Sequence, residues 1–241
     1  IRSAYIPTQL FDERAAMRKD SERFLKELLE APSPSGFEQP AAKIFRARIK
    51  GHVDQLIHDV HGNTLGVLNP DAAFKFMLAG HIDEIGLMIT HIDEKGYLFV
   101  AQIGGMDPAL LVGQRVKVMT AKGDVFGVIG RKAIHLMKPD ERKKCVEMEN
   151  IWVDIGAGNK KDAQKLVAVG DPIVVDVPFR RLGKDKIVSR AMDDKAGAFV
   201  VAEVLRELSK KKLNICVVGV ATVQEEIGLR GAITSAYQIK P

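Results

Sequence analysis

Ile215-Cys216-Val217-Val218-Gly219-Val220 runs directly into Ala221-Thr222-Val223-Gln224-Glu225-Glu226-Ile227-Gly228-Leu229-Arg230-Gly231. The continuous apolar run predicts a buried parallel strand. It delivers two adjacent acids, Glu225 and Glu226, into a turn that contains two glycines. Ligands of open α/β sheets gather beyond the carboxyl ends of the strands, so this turn is a candidate for catalysis or metal binding. A solvated strand end explains the two acids equally well when they are taken alone.

Two other turns carry comparable side chains. His81 and Asp83 follow the predicted strand at residues 73–79, and Asp193 and Asp194 open a predicted helix that runs to Leu208. A lone histidine is often just a satisfied polar residue, and either aspartate could be a helix N-cap. Together, carboxylates and an imidazole suit a divalent ion such as Zn²⁺, Co²⁺ or Mn²⁺. Acids packed in one cleft also repel one another unless cations neutralise them, which favours a metal site over three unrelated caps.

The predicted elements divide the chain into two α/β parts separated by a β-rich part. Residues 1–86 form the first part, in which residues 1–16 lack a clear period and are predicted to be an arm. Residues 87–182 alternate in short segments without a long helix, which predicts an inserted β-rich domain. Residues 183–241 return to the α/β rhythm, with a strand from Lys186. The predicted fold class is α/β.

Composition excludes several classes of function. The hydrophobic fraction of 46% and charged fraction of 28% are typical of a folded chain. The net charge of +5 is spread out rather than gathered into a basic stripe, so no nucleic-acid partner is expected. No apolar run is long enough to span a bilayer, so no membrane partner is expected either. The chain has two distant cysteines, Cys145 and Cys216, so we expect no disulfide framework and a cytoplasmic location.

The three turns with candidate residues lie in segments that resemble the deblocking and glutamyl aminopeptidases of the TET type. The segments are Ala79-Gly80-His81-Ile82-Asp83-Glu84-Ile85-Gly86-Leu87-Met88, Arg190-Ala191-Met192-Asp193-Asp194-Lys195-Ala196-Gly197 and Val223-Gln224-Glu225-Glu226-Ile227-Gly228-Leu229-Arg230-Gly231. The resemblance runs from about Glu22 to Pro241. It implies a zinc-peptidase fold, a mixed sheet flanked by helices, whose catalytic domain is interrupted by a β-rich dimerisation domain. It also implies peptide substrates and dimers that assemble into a larger shell, of which a dodecamer is one form.

The resemblance also implies a role for each candidate residue. His81 would bind one of two divalent ions, zinc or cobalt with manganese as an alternative. Asp193 would bridge both ions, and Glu226 would bind or share the other. Glu225 would be the general base that takes a proton from water, and Asp83 would orient His81 through the second ring nitrogen. Asp194 would hold a backbone geometry.

Two ligands of this family, an Asp and a His, are implied beyond Pro241. We therefore expect the sequence to be a fragment of a metallo-aminopeptidase, which leaves the activity of this chain by itself open. The alternatives are a partner chain that completes the site, and a truncated homologue that serves only in assembly. Because some family members carry the name cellulase or endoglucanase, a glycoside hydrolase is a further alternative. Glycosidases need two carboxyl groups facing each other across the bond, and adjacent residues are a poor pair for this.

Overall fold

The computed structural model describes residues 17–241, so the predicted arm at residues 1–16 lies outside the described residues. The helices are α1 (Lys19–Glu30), α2 (Gln39–Ile49), α3 (Lys160–Leu166), α4 (Met192–Leu208) and α5 (Arg230–Ile239). The strands are β1 (Gln55–His58), β2 (Thr64–Leu68), β3 (Lys75–His81), β4 (Gly86–Ile92), β5 (Leu98–Ile103), β6 (Arg115–Thr120), β7 (Gly123–Arg131), β8 (Ile151–Asp154), β9 (Pro172–Val175), β10 (Arg180–Leu182), β11 (Lys186–Val188) and β12 (Cys216–Thr222). Within the described residues, no helix is both long and apolar enough to cross a membrane.

The central sheet has the strand order β1-β2-β12-β3. Every residue of β12 is buried, as expected for a strand with neighbours on both edges and both faces covered. β12 pairs parallel with β3 and antiparallel with β2, so the prediction of a parallel strand holds for one edge only. The predicted fold class, a mixed sheet flanked by helices, is confirmed.

Helices cover both faces of this sheet. On one face α1, α2 and α4 bury a core that includes Phe45, Ile49 and Leu205, all fully buried. The buried positions of α4 include Ala198, Val201, Ala202 and Leu205, the spacing of one helical face. On the other face Ile239 of α5 packs with valines of β2 and β12. The sheet therefore lies between two helical layers, and its strand ends are left free to carry loops.

The strands β4 to β9 form a closed barrel in the order β4-β5-β8-β7-β6-β9. Its core is separate from that of the sheet and includes Leu98, Val116 and Ile173. Residues of β7 face the barrel core and the surface in turn. Gly127 and Ile129 are buried, whereas Phe126 and Val128 are exposed. The first barrel strand, β4, begins directly after the loop at residues 82–85, which follows β3 of the central sheet. The proposed boundaries at residues 86 and 182 stay a prediction.

One predicted strand belongs to a different sheet from the one expected. The strand from Lys186 was expected to resume the α/β rhythm, but β11 pairs only with β10 in a separate two-stranded sheet. The residues of β10 are exposed and those of β11 are exposed or half-buried, so these strands lack the apolar surface of a core strand. The return to the central sheet comes instead through α4 and β12.

Glu203 of α4 joins the three helices on one face of the sheet. Its carboxylate accepts hydrogen bonds from Arg18 at 2.7 Å, from Ser21 at 2.9 Å and from Nε of Arg48 at 2.9 Å. A second nitrogen of Arg48 also donates to Glu203, and Nε of Arg206 donates at 3.1 Å. Burial alone would raise the pKa of Glu203, but the bonds from Arg48, Ser21 and Arg206 outweigh it and lower the pKa below 4.5. The ionised carboxylate thus stabilises the packing of α1 and α2 on α4.

We expect Glu203→Gln to lower the free energy of unfolding by about 1–2 kcal/mol at pH 7, because charge-assisted hydrogen bonds are lost. The native pKa is depressed, so the contribution is present above about pH 4.5 and is lost as the pH falls through the native pKa. The difference between wild type and variant in urea unfolding should therefore shrink in acid. Glu207→Gln is the control, because the Glu207 side chain is 56% exposed. A cost for Glu203→Gln that is independent of pH would contradict the prediction.

Candidate functional site

Parallel pairing brings the first two candidate turns together. In the register of β3 and β12, His81 lies opposite Thr222, so both strands end at the same edge of the sheet. The chain after β3 stays attached, because the amide of Ile82 donates to the carbonyl oxygen of Thr222 at 2.9 Å. The loop with His81 and Asp83 therefore lies beside the turn with Glu225 and Glu226.

Gly80 brings the third turn to the same edge. A Cβ atom at Gly80 would lie 2.4 Å from the backbone nitrogen of Ala198 and 2.6 Å from the carbonyl carbon of Gly197. Only a residue without a side chain allows α4 to pass so close to β3. This contact places the beginning of α4, and Asp193 with it, over the end of β3.

His81 is the centre of the cluster and is only 7% exposed. Its Nδ1 lies 3.1 Å from the carbonyl oxygen of Asp83, an atom that can only accept, so Nδ1 carries a proton. Nε2 lies 3.2 Å from Oδ1 of Asp193 and 3.6 Å from Oε2 of Glu225. Burial lowers the pKa of His81, but the hydrogen bonds and charge of Asp83 and the charge of Glu225 outweigh it and raise the pKa to about 9.

Asp83 is completely buried and fixes the turn of the two glutamates. Its Oδ1 accepts the amide N–H of Glu225 at 3.0 Å, and its Oδ2 accepts the amide N–H of Glu226 at 3.1 Å. Oδ2 also accepts the hydroxyl of Ser35 at 2.6 Å. Burial raises the pKa of Asp83, but the bonds from His81, Ser35 and the two amides outweigh it and lower the pKa below its ordinary value. Asp83 therefore contacts both the imidazole and the backbone of both acids.

The two neighbouring aspartates face different partners. The Asp193 side chain is 89% exposed and reaches Nε2 of His81. Asp194 instead accepts the amide N–H of Gly197 at 3.0 Å, as an N-cap does. Neither residue has helical dihedral angles, and the peptide bond between them is cis. The regular part of α4 thus begins after Asp194, and Asp193 is left outside it at the cluster.

Glu226 is half-buried beside the other acids. Burial raises its pKa, and although the charge of His81 acts in the opposite direction, the carboxylates of Asp193, Asp83 and Glu225 add to the increase. Such repulsion is what a bound cation relieves. The turn itself is held by Gln224, whose left-handed backbone (φ 55°) lets its amide donate to Glu38 at 3.2 Å. Glu38 is a contact that sequence patterns did not single out.

A second buried cluster beside the site was also missed. Glu84 accepts two hydrogen bonds from Arg190, at 2.6 and 2.9 Å, and one from Lys195 at 3.1 Å. Lys195 is fully buried and also donates to the carbonyl oxygen of Ala31 at 2.6 Å. This cluster ties the turn after α1, the loop after β3 and the start of α4 together. Glu84 is more than 100 residues away from both Arg190 and Lys195 in the sequence, so no local pattern could have paired it with them.

The donor atoms at the site fit part of a metal centre. Two ligands at about 2.0–2.1 Å from one tetrahedral ion lie about 3.3 Å apart, and Nε2 of His81 and Oδ1 of Asp193 are separated by 3.2 Å. Within residues 17–241, no three His, Cys, Asp or Glu side chains are gathered closely enough to hold an ion. The arrangement therefore brings two donor atoms to the spacing that one ion would need, with the carboxylates of Glu225 and Glu226 nearby.

A cleft of about 380 Å³ adjoins these acids and reaches the barrel; we call it the barrel cleft. Its lining residues come from the loop after β3, from the segment after β5, from the end of β9, from the start of α4 and from the turn after β12: Glu84, Ile85, Gly105, Met106, Val175, Arg190, Ala191, Met192, Asp193 and Glu226. Asp193 and Glu226 are thus shared between the cluster and the cleft.

Comparisons with known proteins agree with this arrangement. The family model described as M42 glutamyl aminopeptidase matches residues 62–241. A lysyl aminopeptidase from Pyrococcus furiosus is 34% identical over 221 residues, which are 90% of this chain and 63% of the relative. A TET aminopeptidase structure from the marine sediment archaeon Thaumarchaeota archaeon SCGC AB-539-E09 is 38% identical with a TM-score of 0.90, covering 92% of this chain and 64% of its own.

A second structure, the TET1 peptidase of Pyrococcus horikoshii, is 33% identical with a TM-score of 0.84. The match covers 92% of this chain and 66% of that one, and the protein is described as assembling into a tetrahedron or a large octahedral shell. The chain spans about three fifths of the length of the curated relatives it matches.

We expect Asp83→Ala to lower the free energy of unfolding by about 3 kcal/mol, because it leaves the amides of Glu225 and Glu226 without their acceptor and removes the charge 3.5 Å from Nδ1 of His81. Ser35→Ala is the matched control. It removes one hydroxyl donor from the same carboxylate and should cost about 1 kcal/mol. Urea unfolding of the metal-free protein measures both. Equal costs for the two variants would show that Asp83 does not hold the turn of the glutamates.

Proposed function

Because the chain belongs to the M42 glutamyl aminopeptidase family, we propose that the protein is a metal-dependent aminopeptidase that removes N-terminal residues from peptides. The observation that carries this proposal is the convergence on Nε2 of His81, where Asp193 lies at 3.2 Å and Glu225 at 3.6 Å. An imidazole nitrogen and two carboxylates from three separate turns are the groups that hydrolysis by an activated water needs.

We assign His81 and Asp193 as ligands of one divalent ion, and Asp193 and Glu226 as ligands of a second. Zinc and cobalt suit these nitrogen and oxygen donors, and manganese is the alternative. A bound divalent ion supplies Lewis acidity, which polarises a carbonyl group and lowers the pKa of water. Asp83 keeps the Nδ1 side of His81 occupied, so Nε2 is left to face the ion. The family's Asp and His ligands beyond Pro241 stay predictions.

Glu225 is proposed as the general base. Its backbone is fixed by Asp83, while its side chain is about one-third exposed and extends to within 3.6 Å of His81. A carboxylate placed in this way can take a proton from the attacking water and return it to the leaving amine. Asp83 contributes by positioning, since it holds the base and the imidazole in one geometry.

The glycosidase alternative has no supporting geometry in these two glutamates. Both oxygens of one carboxylate, that of Asp83, bind the consecutive amides of Glu225 and Glu226. The two acids thus share one tight turn, whereas a glycosidase places its carboxyl groups on opposite sides of the bond.

Both cysteines are free, which is consistent with the predicted cytoplasmic location.

We also propose that the protein forms homo-oligomers through the barrel. Phe126 and Val128 are 62% and 47% exposed on the same side of β7, and Ile134 and Leu136 follow at 62% and 64%. A group of exposed apolar side chains on one domain is typical of a protein interface. Assembly into a dimer and then a larger shell, as described for the Pyrococcus horikoshii relative, would cover this surface.

We expect Phe126→Glu to weaken the association measured by sedimentation velocity, because it introduces a charge into the apolar surface of β7. Leu182→Glu is the control, since Leu182 is 58% exposed in the two-stranded sheet outside the barrel. Wild type and the control should sediment as a dimer or larger species. A monomeric wild type would contradict the proposal, as would equal association of all three proteins.

In the full-length protein, we expect Glu225→Gln to lower kcat for an alanine anilide by about 10²–10⁴-fold while the metal content stays that of wild type. Glu94→Gln is the control, because the Glu94 side chain is 85% exposed on the surface. A chelator should abolish wild-type hydrolysis, and added zinc or cobalt should restore it. Hydrolysis that survives the chelator would rule out a metal-dependent enzyme. Loss of the metal from Glu225→Gln would argue that Glu225 is a ligand and not the base.

A further inference from the structure

The barrel cleft has apolar walls from both domains. Met106 and Val175 are half-buried and pack on the barrel core, so their free surface faces outward from that core. On the opposite side Ile85 is 36% exposed and Met192 is 38% exposed. Large apolar side chains that stay exposed around a concave site are typical of ligand pockets, and a volume of about 380 Å³ lies within their usual range of about 300–1,000 Å³.

The charged residues of the cleft are already paired or belong to the acid cluster. Arg190 is bound to Glu84 by two hydrogen bonds, and their side chains are 9% and 4% exposed. Glu84 is further satisfied by Lys195 and by the amide of Ser33 at 2.9 Å. The guanidinium of Arg190 is therefore not available to an acidic side chain of a substrate. The remaining charged lining residues, Asp193 and Glu226, are those assigned to the metal ions.

From this lining we propose that the barrel cleft binds an uncharged apolar side chain of the peptide, next to the bond that is cleaved. This inference rests on the proposed aminopeptidase function. The side chain belongs either to the residue before the bond or to the residue after it, since both lie beside the acids. Burial of such a side chain against Met106, Val175 and Met192 yields the hydrophobic free energy that a charged side chain would lack.

The inference gives the barrel a second role besides association. Met106 and Val175 belong to barrel segments, whereas Asp193 lies at the start of α4 and Glu226 follows β12 of the central sheet. A peptide in the cleft would contact both domains at once. Selectivity among N-terminal residues would then depend on the barrel as well as on the catalytic domain.

Gly105 offers a test that fills the cleft without strain. A Cβ atom at Gly105 meets nothing within 4 Å, and its φ lies outside the left-handed range. Gly105→Val should therefore place an isopropyl group in the cleft without disturbing the fold. Gly51→Val is the matched control, because Gly51 is equally open but lies at the end of α2, far from the lining residues.

The substrates distinguish the two sides of the bond. Leucine anilide is compared with alanine anilide for the residue before the bond, and Ala-Leu with Ala-Ala for the residue after it. We expect Gly105→Val to lower kcat/KM for one leucine substrate by about tenfold or more, whereas its alanine partner stays within about threefold. Gly51→Val should leave all four values unchanged. Equal effects on leucine and alanine substrates, or no effect at all, would overturn the inference.

A binding measurement separates this inference from the proposed function. In protein labelled at the methionine methyl groups, leucinamide should shift the signals of Met106 and Met192 but not that of Met77 in β3. Glutamic acid α-amide should shift the two cleft signals much less. If the full-length protein hydrolyses no substrate, the aminopeptidase proposal fails, and the cleft is then judged by these shifts. Equal shifts from both amides would overturn it.

Discussion

Asp83 is the constraint on which the site depends. Its carboxylate is completely buried, and a buried charge is tolerated only when hydrogen bonds satisfy it. The groups that satisfy it are the amides of Glu225 and Glu226 and the hydroxyl of Ser35. The buried charge of Asp83 is therefore stabilised by hydrogen bonds from the turn of Glu225 and Glu226, which carries the proposed chemistry. Folding and construction of the site are in this sense one process.

The barrel adds a second layer to this arrangement. It begins directly after Glu84 and Ile85, so its position follows from the same loop that Asp83 fixes. The cluster of Glu84, Arg190 and Lys195 ties that loop to the start of α4 on the far side of the barrel. The cleft between the two domains thus has walls that are anchored at both ends of the inserted chain. A barrel held in this way can contribute to the proposed substrate site as well as to the proposed assembly.

Much of this could be predicted from the sequence. The apolar run ending at Val220 predicted a buried strand, and the alternation within residues 87–182 predicted a separate β-rich part, because periodicity reports which faces are buried. The acids at strand ends predicted the edge of the sheet at which the side chains of His81, Asp193 and Glu225 come together. Glu84 and Lys195 could not be paired, since the contact joins residues 111 positions apart. A strand at Lys186 was predicted and is present, but its pairing with β10 was not, because a short exposed strand carries no apolar pattern that identifies its partner.

Gly80 has a consequence for how the protein can vary. The distance between the imidazole of His81 and the carboxylate of Asp193 is set by how closely α4 lies on β3, and that spacing requires a position with no methyl group. Most apolar residues of the core can be exchanged for others of similar volume at modest cost. Gly80 has no such substitute, since even alanine would push the backbone of Ala198 away and move the side chains of His81 and Asp193 apart. The tolerance of the site to mutation is thus limited by one hydrogen atom on a residue that takes no part in the chemistry.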